Sequence, residues 1–333
     1  VNNGAGSIRS VGNSGNETSR LGFRGTEDLG GGLHAGFWLE GQLFNDTGLG
    51  GAPGSANQGM SWQRRSTVSL TSDTLGELRL GRDTTPGYVT LQDFDPVTLN
   101  GVGSHLNMMI LNQPIQGSPQ VNASPLGSGS ATFTRASNSV EYFLPGHLGG
   151  VYGQAMVAAG EGSAAGKYDG GRLGYKTDAL NLALEMGKAR IGANDLNEVI
   201  AGASYDFGVV KLMGQYGKMN FDRVAMVSSV QKNLLVGATA PVAGGTVKVS
   251  YNKVQISGSD TGVSGLGQGS AHMLAAGYVY DLSRRTALYT TYSRISNDSG
   301  TQFTVGGQQN GPAMYGVTGK TSSGYEIGIR HRF

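Results

Sequence analysis

The feature that most constrains this chain is a period of two in its apolar residues, repeated in segment after segment. In Leu180–Met186 the side chains of Leu180, Leu182, Leu184 and Met186 share one face, with Asn181, Ala183 and Glu185 on the other. Val199, Ala201, Ala203 and Tyr205 oppose Glu198, Gly202 and Ser204, while Val210, Leu212 and Tyr216 oppose Lys211, Met213 and Gln215. Val247, Val249 and Tyr251 alternate with Lys248, Ser250 and Asn252, and at the C-terminus Tyr325, Ile327, Ile329, His331 and Phe333 alternate with Glu326, Arg330 and Arg332. Successive side chains of a strand point to opposite sides, so this pattern specifies strands with one apolar and one polar face. No segment of comparable length repeats at helical spacing. The expected fold class is all-β.

Composition narrows the choice of β architecture. Only 14% of residues are charged, against about 25% in soluble proteins. Glycine supplies 57 of 333 residues without a triplet period, which excludes collagen, and the abundant Tyr, Val and Leu argue against disorder. No run of about 20 apolar residues is present, so the chain does not cross a membrane as helices. The absence of Cys removes disulfides, thiolate chemistry and Cys-ligated zinc. A net charge of +2 gives no strong attraction to nucleic acid. No charged segment followed by an apolar one opens the chain, so any signal peptide is expected to be gone already.

The connections fall into two classes. Short ones, built from Asp, Gly and Pro, lie at Asp28–Gly32, Asp73–Gly76, Pro145–Gly150, Thr177–Ala179, Asp206–Gly208, Pro241–Gly245 and Asp281–Arg285. Long polar ones lie at Asn45–Met60, Thr84–Thr134, Ile256–Gly269 and Ser296–Lys320, and the two classes are expected to alternate strictly. Alternation puts every short turn at one end of a meander and every long loop at the other, the asymmetry of outer-membrane barrels; a soluble sandwich has no reason to segregate its loops. Seven hairpins give fourteen strands and Thr321–Phe333 a fifteenth. Closed bacterial barrels have even strand counts. The expectation is therefore a 16-stranded antiparallel transmembrane β-barrel with fifteen strands visible, the first strand preceding Val1 and missing from this sequence. Phe23, Tyr216, Tyr280, Tyr292 and Phe333, near strand ends, are expected to form interfacial girdles.

Three stretches carry a resemblance. Thr18-Ser19-Arg20-Leu21-Gly22-Phe23-Arg24-Gly25-Thr26-Glu27-Asp28-Leu29-Gly30-Gly31-Gly32-Leu33 resembles the second strand and first turn of the Gram-negative trimeric porins. Arg64-Arg65-Ser66-Thr67-Val68-Ser69-Leu70 with Gly76-Glu77-Leu78-Arg79-Leu80-Gly81-Arg82 is similar to the next hairpin of that family, and Gly328–Phe333, ending in Phe, to its barrel-assembly signal. The subgroup it most resembles is the anion-selective porins of β-proteobacteria. The resemblance implies a homotrimer in the outer membrane, in contact with lipid and lipopolysaccharide, that passes small anionic solutes. It also implies one barrel domain over 1–333 in which 83–135, the third external loop when the Gly/Asn/Ser-rich segment Val1–Glu17 is counted as the first, folds inward as the pore-constricting loop and contributes Asp93 and Asp95.

Strand parity assigns the wall of such a pore. With Leu21 and Phe23 facing lipid, Arg20 and Arg24 face the lumen. Around Val68 and Leu70 the lumen positions are Gln63, Arg65 and Thr67, so Arg64 points away unless the strand end is bulged. Before Val140 and Tyr142, the inward positions are Arg135, Ser137 and Ser139, and Glu40 faces inward where it would orient these arginines. Arg20, Arg65 and Arg135 fall where the resemblance implies constriction arginines. Arg79, Arg172, Lys176, Lys211, Lys248, Arg330 and Arg332 add further lumen cations, against Glu40, Glu77, Glu141, Glu185, Glu198 and Glu326. Rings of Arg and Lys select anions. Passive, anion-preferring diffusion is expected, tempered by Asp83, Asp93 and Asp95; the alternative is a channel with a saturable site for organic acids or phosphate.

An enzyme is not expected. His34 and His147 flank short turns, His331 has lipid parity, His105 lies in a long loop and His272 begins a strand, with no Ser-His-Asp spacing among them. Neither a phosphate-binding G-x-x-x-x-G-K loop nor an H-E-x-x-H metal motif occurs, so no cofactor or metal is expected.

Overall fold

A computed structural model describes residues 1–50, 59–110, 133–161, 166–191, 194–222, 228–258, 267–305 and 316–333. Fifteen strands follow one another in sequence order: β1 Arg20–Gly30, β2 Leu33–Gln42, β3 Arg65–Ser72, β4 Gly76–Thr84, β5 Arg135–Phe143, β6 Val151–Ala158, β7 Lys167–Lys176, β8 Leu180–Ile191, β9 Asn194–Asp206, β10 Lys211–Asp222, β11 Ser229–Val242, β12 Gly245–Ser257, β13 Gly269–Asp281, β14 Thr286–Asn297 and β15 Ser322–His331. They form a single sheet in which each strand pairs with the next, antiparallel at every step. All seven short turns fall where the Asp, Gly and Pro clusters place them.

Strict alternation of connection length fails on the long-loop side, where β10 ends at Asp222 and β11 begins at Ser229, a shorter connection than the β5–β6 turn between Phe143 and Val151. The β8–β9 connection lies on the long-loop side, yet β8 ends at Ile191 and β9 begins at Asn194. The long connection Asn45–Met60 includes 51–58, which lie outside the described residues, as do 111–132 of the loop 83–135. β1 and β15 are the two edges of the sheet, and the N-terminal segment lies across the gap between them. Asn2 bridges to Ser323 of β15, Glu17 pairs with Arg332, and Leu43 of the β2 end donates its N–H to Ser19.

The apolar pattern is turned inside out relative to a water-soluble protein. Phe23, Val68, Leu173, Leu274 and Tyr292 are exposed on the outer wall, and Ile327 is 73% exposed. The expected girdle residues Phe23, Tyr216, Tyr280, Tyr292 and Phe333 are all among these exposed side chains. Burial is instead found inside, towards the long-loop ends of the strands. There Met156, Tyr168, Leu196, Ile200, Met219, Phe221, Met273 and Ile295 of the wall pack against Leu91, Leu99, Val102, Met108, Met109 and Ile110 of the loop 83–135. That connection contains a helix, α1, over Pro86–Asp93 and a 3₁₀ turn over His105–Met108. Thr85 caps α1 by accepting the Tyr88 N–H, and Pro86 stands where its missing N–H costs nothing. Helix α1 packs on β6–β9, and the 3₁₀ turn on β12 and β13.

Candidate pore constriction

The arginines gather on one side of the lumen, on the wall built from β1 to β5. Glu40 of β2 is the hub of the upper layer. Its carboxylate lies 2.6 Å from Nε of Arg64 and 3.4 Å from Nε of Arg20. The backbone carbonyl of Arg64 in turn accepts Nε of Arg135 at 2.9 Å, and the Arg135 guanidinium sits 5.9 Å from the centre of the Tyr88 ring on α1. Beside it, the Arg65 guanidinium carbon sits over the Trp38 ring, 4.1 Å from its centre, with that of Arg24 5.2 Å from the same centre. Arg65 is also 3.3 Å from Asp83, which takes Arg79 at 2.8 Å, while Arg79 grips Glu77 through two nitrogens at 2.9 and 3.0 Å. Stacking on an aromatic ring and bidentate pairing both fix guanidinium planes that are otherwise mobile.

Both Arg64 and Arg65 face inward, at 15% and 17% side-chain exposure. Arg64 precedes the first residue of β3, so strand parity does not bind it and its side chain folds onto Glu40. Arg135 reaches the cluster by a route that parity misassigns. Gly81 pairs with Ser139 but Asp83 pairs with Ala136, so two residues of β5 stand opposite one of β4. This is a β-bulge, with Asn138 at φ +57°. Beyond the bulge the inward position passes to Ala136, and Ser137 is exposed and accepts a hydrogen bond from Arg82 at 2.8 Å. The expectation that Ser137 faces inward is corrected; Arg135 enters the cluster from the strand's first residue, not by alternation.

The loop acids expected at the constriction, Asp93 and Asp95, do not pair with the arginines of this cluster. Asp93 pairs with Arg172 of β7 at 2.6 Å. Asp95 is 2% exposed and accepts the N–H groups of Val97 and His105 at 3.0 Å each, so it shapes the loop from within and does not line the constriction. Burial pushes its carboxyl up, as it pushes the neighbouring His105 imidazole down. Farther along the wall, Arg330 meets Asp281 at 3.3 Å. Lys176, Lys211 and Lys248 stand at inward positions and take part in no ion pair among the described residues. Glu185 and Glu198, at 0% and 3% exposure, are covered by α1, with the Tyr168 hydroxyl 3.3 Å from Glu185.

A second set of side chains holds the loop against the opposite wall, and the charge pattern gave no sign of it. Gln215 donates to the Leu91 carbonyl at 3.2 Å, Gln231 accepts Ile110 N–H at 2.9 Å and donates to the Met108 carbonyl, and Asn233 donates to that carbonyl at 3.1 Å. Asn252 accepts from the His105 ring at 2.7 Å, and Glu326 accepts the Val102 N–H at 3.3 Å. The available signal was uncharged amides repeated at inward positions on β10–β12. Two glycines leave room for the loop: a Cβ on Gly202 would stand 2.1 Å from the Phe94 ring, and one on Gly237 2.4 Å from Pro96.

The wall of arginines on β1–β5 thus faces a loop that is packed against the inner side of β6–β13. The family model of the Gram-negative porin matches residues 1–300. The chain belongs to the Gram-negative porins. It is 37% identical over 335 residues to outer membrane porin protein 32 of Delftia acidovorans, covering 97% of this chain and 87% of that one. The anion-selective porin from Comamonas acidovorans superposes with a TM-score of 0.80 at 35% identity, covering 97% and 91% of the two chains. The trimer form of OmpT from Vibrio cholerae shares the fold alone, with a TM-score of 0.66 at 13% identity over 98% and 94%. This porin is thus an all-β protein of the Gram-negative outer membrane, and its strands cross that membrane.

Proposed function

We propose that this porin is an anion-preferring diffusion channel, not an enzyme, that works as a homotrimer and is constricted between the arginine wall and the loop 83–135. The observation that carries the reading is the fate of the inward-facing acids. Asp83, Asp93, Glu40 and Glu77 are each spent on an arginine, and Asp95, Glu185 and Glu198 are buried. Arg24, Arg135, Lys176, Lys211 and Lys248 have no acidic partner among the described residues. The lumen is therefore positive although the chain is nearly neutral. A solute anion about 4 Å from an arginine gains about 1 kcal/mol in water and about 4 kcal/mol at the effective dielectric of a protein surface. A water-filled pore lies towards the lower figure, enough to enrich anions without trapping them. The relative from Comamonas acidovorans, described as anion-selective, supports this reading, and the trimer form of OmpT supports the assembly.

The test is single-channel recording in a planar bilayer under a salt gradient, with the R20A/R65A/R135A triple variant beside the wild type. Stepwise openings with a chloride-favouring reversal potential, moved towards zero in the variant, are expected. A cation-favouring wild type overturns the lumen assignment, and an absence of openings overturns the channel.

A further inference from the structure

On the wall opposite the arginines, two lysines share one rung of the sheet near its short-turn end. Lys211 of β10 stands opposite Thr239 of β11, and Thr239 stands opposite Lys248 of β12. All three lie at inward positions, with the lysine Cα atoms two strand spacings, about 10 Å, apart. Ser204 of β9 stands opposite Met213, diagonal to Lys211 and one row nearer the loop. It is 4% exposed, and its hydroxyl has no hydrogen-bond partner among the described residues. The loop forms a ceiling, since Pro96 lies against Gly237, two residues from Thr239 on the same face. The acids around the lysines serve other partners. Asp206, opposite Lys211, accepts the Gly208 N–H at 2.8 Å. Asp95 holds the N–H groups of Val97 and His105, Glu17 pairs with Arg332, Asp281 pairs with Arg330, and Glu326 accepts the Val102 N–H. Two unpaired ammonium groups between a low-dielectric wall and the loop focus a positive potential on the space between them.

We propose, building on the anion-channel reading, that Lys211, Lys248, Thr239 and Ser204 form a second anion station between the loop and the short-turn mouth. Its ligand is an oxyanion with charge on two groups, such as a diphosphate. A lysine ammonium is a compact charge on a flexible four-carbon stem, so two stems rooted about 10 Å apart can converge on one ligand. A singly charged ion satisfies one ammonium, whereas a diphosphate satisfies both and leaves oxygens to accept from the two hydroxyls. The station differs in kind from the arginine wall. There Trp38, Glu40 and Asp83 hold the guanidinium groups in place; here the cations are unpaired among the described residues and free to close on a ligand. The constriction sorts solutes by sign, and the station retains those of higher valence.

The experiment exploits the absence of Cys from the chain. T239C puts a single thiol between the lysines, and its reaction with an anionic and a cationic methanethiosulfonate of similar size is timed in detergent. Inorganic pyrophosphate and orthophosphate are the probe ligands. The anionic reagent should react faster than the cationic one, and that ratio should fall about tenfold in T239C/K211Q/K248Q. Pyrophosphate should protect the thiol at about a tenth of the orthophosphate concentration, an advantage lost with the two lysines. Heat-resistant gel mobility reports that each variant is folded. In the wild type, pyrophosphate should slow acetylation of Lys211 and Lys248, read by peptide mass spectrometry without any substitution. A rate ratio near one in T239C overturns the station. So does orthophosphate protecting as well as pyrophosphate, protection that survives loss of both lysines, or acetylation indifferent to pyrophosphate. The wild-type reversal potential, recorded in parallel, separates the two readings. A chloride-favouring value beside a thiol without anion preference removes the station alone, whereas a cation-favouring value overturns the anion channel on which it rests.

Discussion

At the scale of single residues, the constriction is governed by what each arginine is paired with. Glu40 holds both Arg64 and Arg20, so E40Q should release two guanidinium charges into the pore. The expected result is a reversal potential moved further towards the anion side and a loss of about 1–3 kcal/mol in unfolding stability, the usual cost of leaving a largely buried polar partner unmatched. An unchanged reversal potential would show that Glu40 does not shield them. His105 supplies a pH dependence whose sign can be worked out. Burial holds its imidazole below the ordinary value, despite the neighbouring Asp95 and the hydrogen bond to Asn252. A depressed histidine contributes docking stability that is complete above about pH 6.5 and is lost as the pH falls below that value. Burial raises Asp95, and that change has the opposite sign, so H105Q separates the two. Wild-type channels should become noisier below about pH 6, and H105Q channels should lose that acid-side change; identical noise profiles would refute the assignment.

Among the elements, the strands were legible and the loop's seat was not. Alternation and Asp/Gly/Pro turns placed every hairpin, because a period of two and a tight turn are local properties of sequence. Arg135 and Ser137 show where that reading stops: parity is valid only up to the next bulge, and the bulge at Ser137–Asn138 depends on how β5 meets β4. Asp95 marks the same limit in the loop, since an acid between Pro96 and Phe94 reads as solvent-facing until the loop is folded over it. The glycine seats give the element-scale prediction. Substituting Gly202 with Leu drives a side chain into Phe94, and the strand cannot move because it is paired on both sides. Helix α1 should therefore be displaced, with a changed single-channel conductance and an intact, heat-resistant barrel. Wild-type conductance in G202L would mean that the loop is not held at this point.

For the molecule as a whole, selectivity is expected to depend on ionic strength, because the excess charge is spread along a water-filled lumen. Screening length falls from about 10 Å at 0.1 M to about 3 Å at 1 M salt. The anion preference should decline steeply across that range, while the conductance continues to rise with salt. A preference independent of salt would point instead to a dehydrated, saturable site. By itself the sequence determined the all-β class, fifteen strands, which end carries the long loops, and which face of most strands meets water, because each follows from local periodicity and turn chemistry. Only the tertiary structure decided that Arg64 joins the cluster, that Asp83 and not Asp95 stands on the arginine wall, and that Gln215, Gln231, Asn233 and Asn252 hold the loop. Those contacts join residues as much as 147 positions apart, and such long-range pairings exist only once the sheet has curved far enough to bring its inner face around the loop.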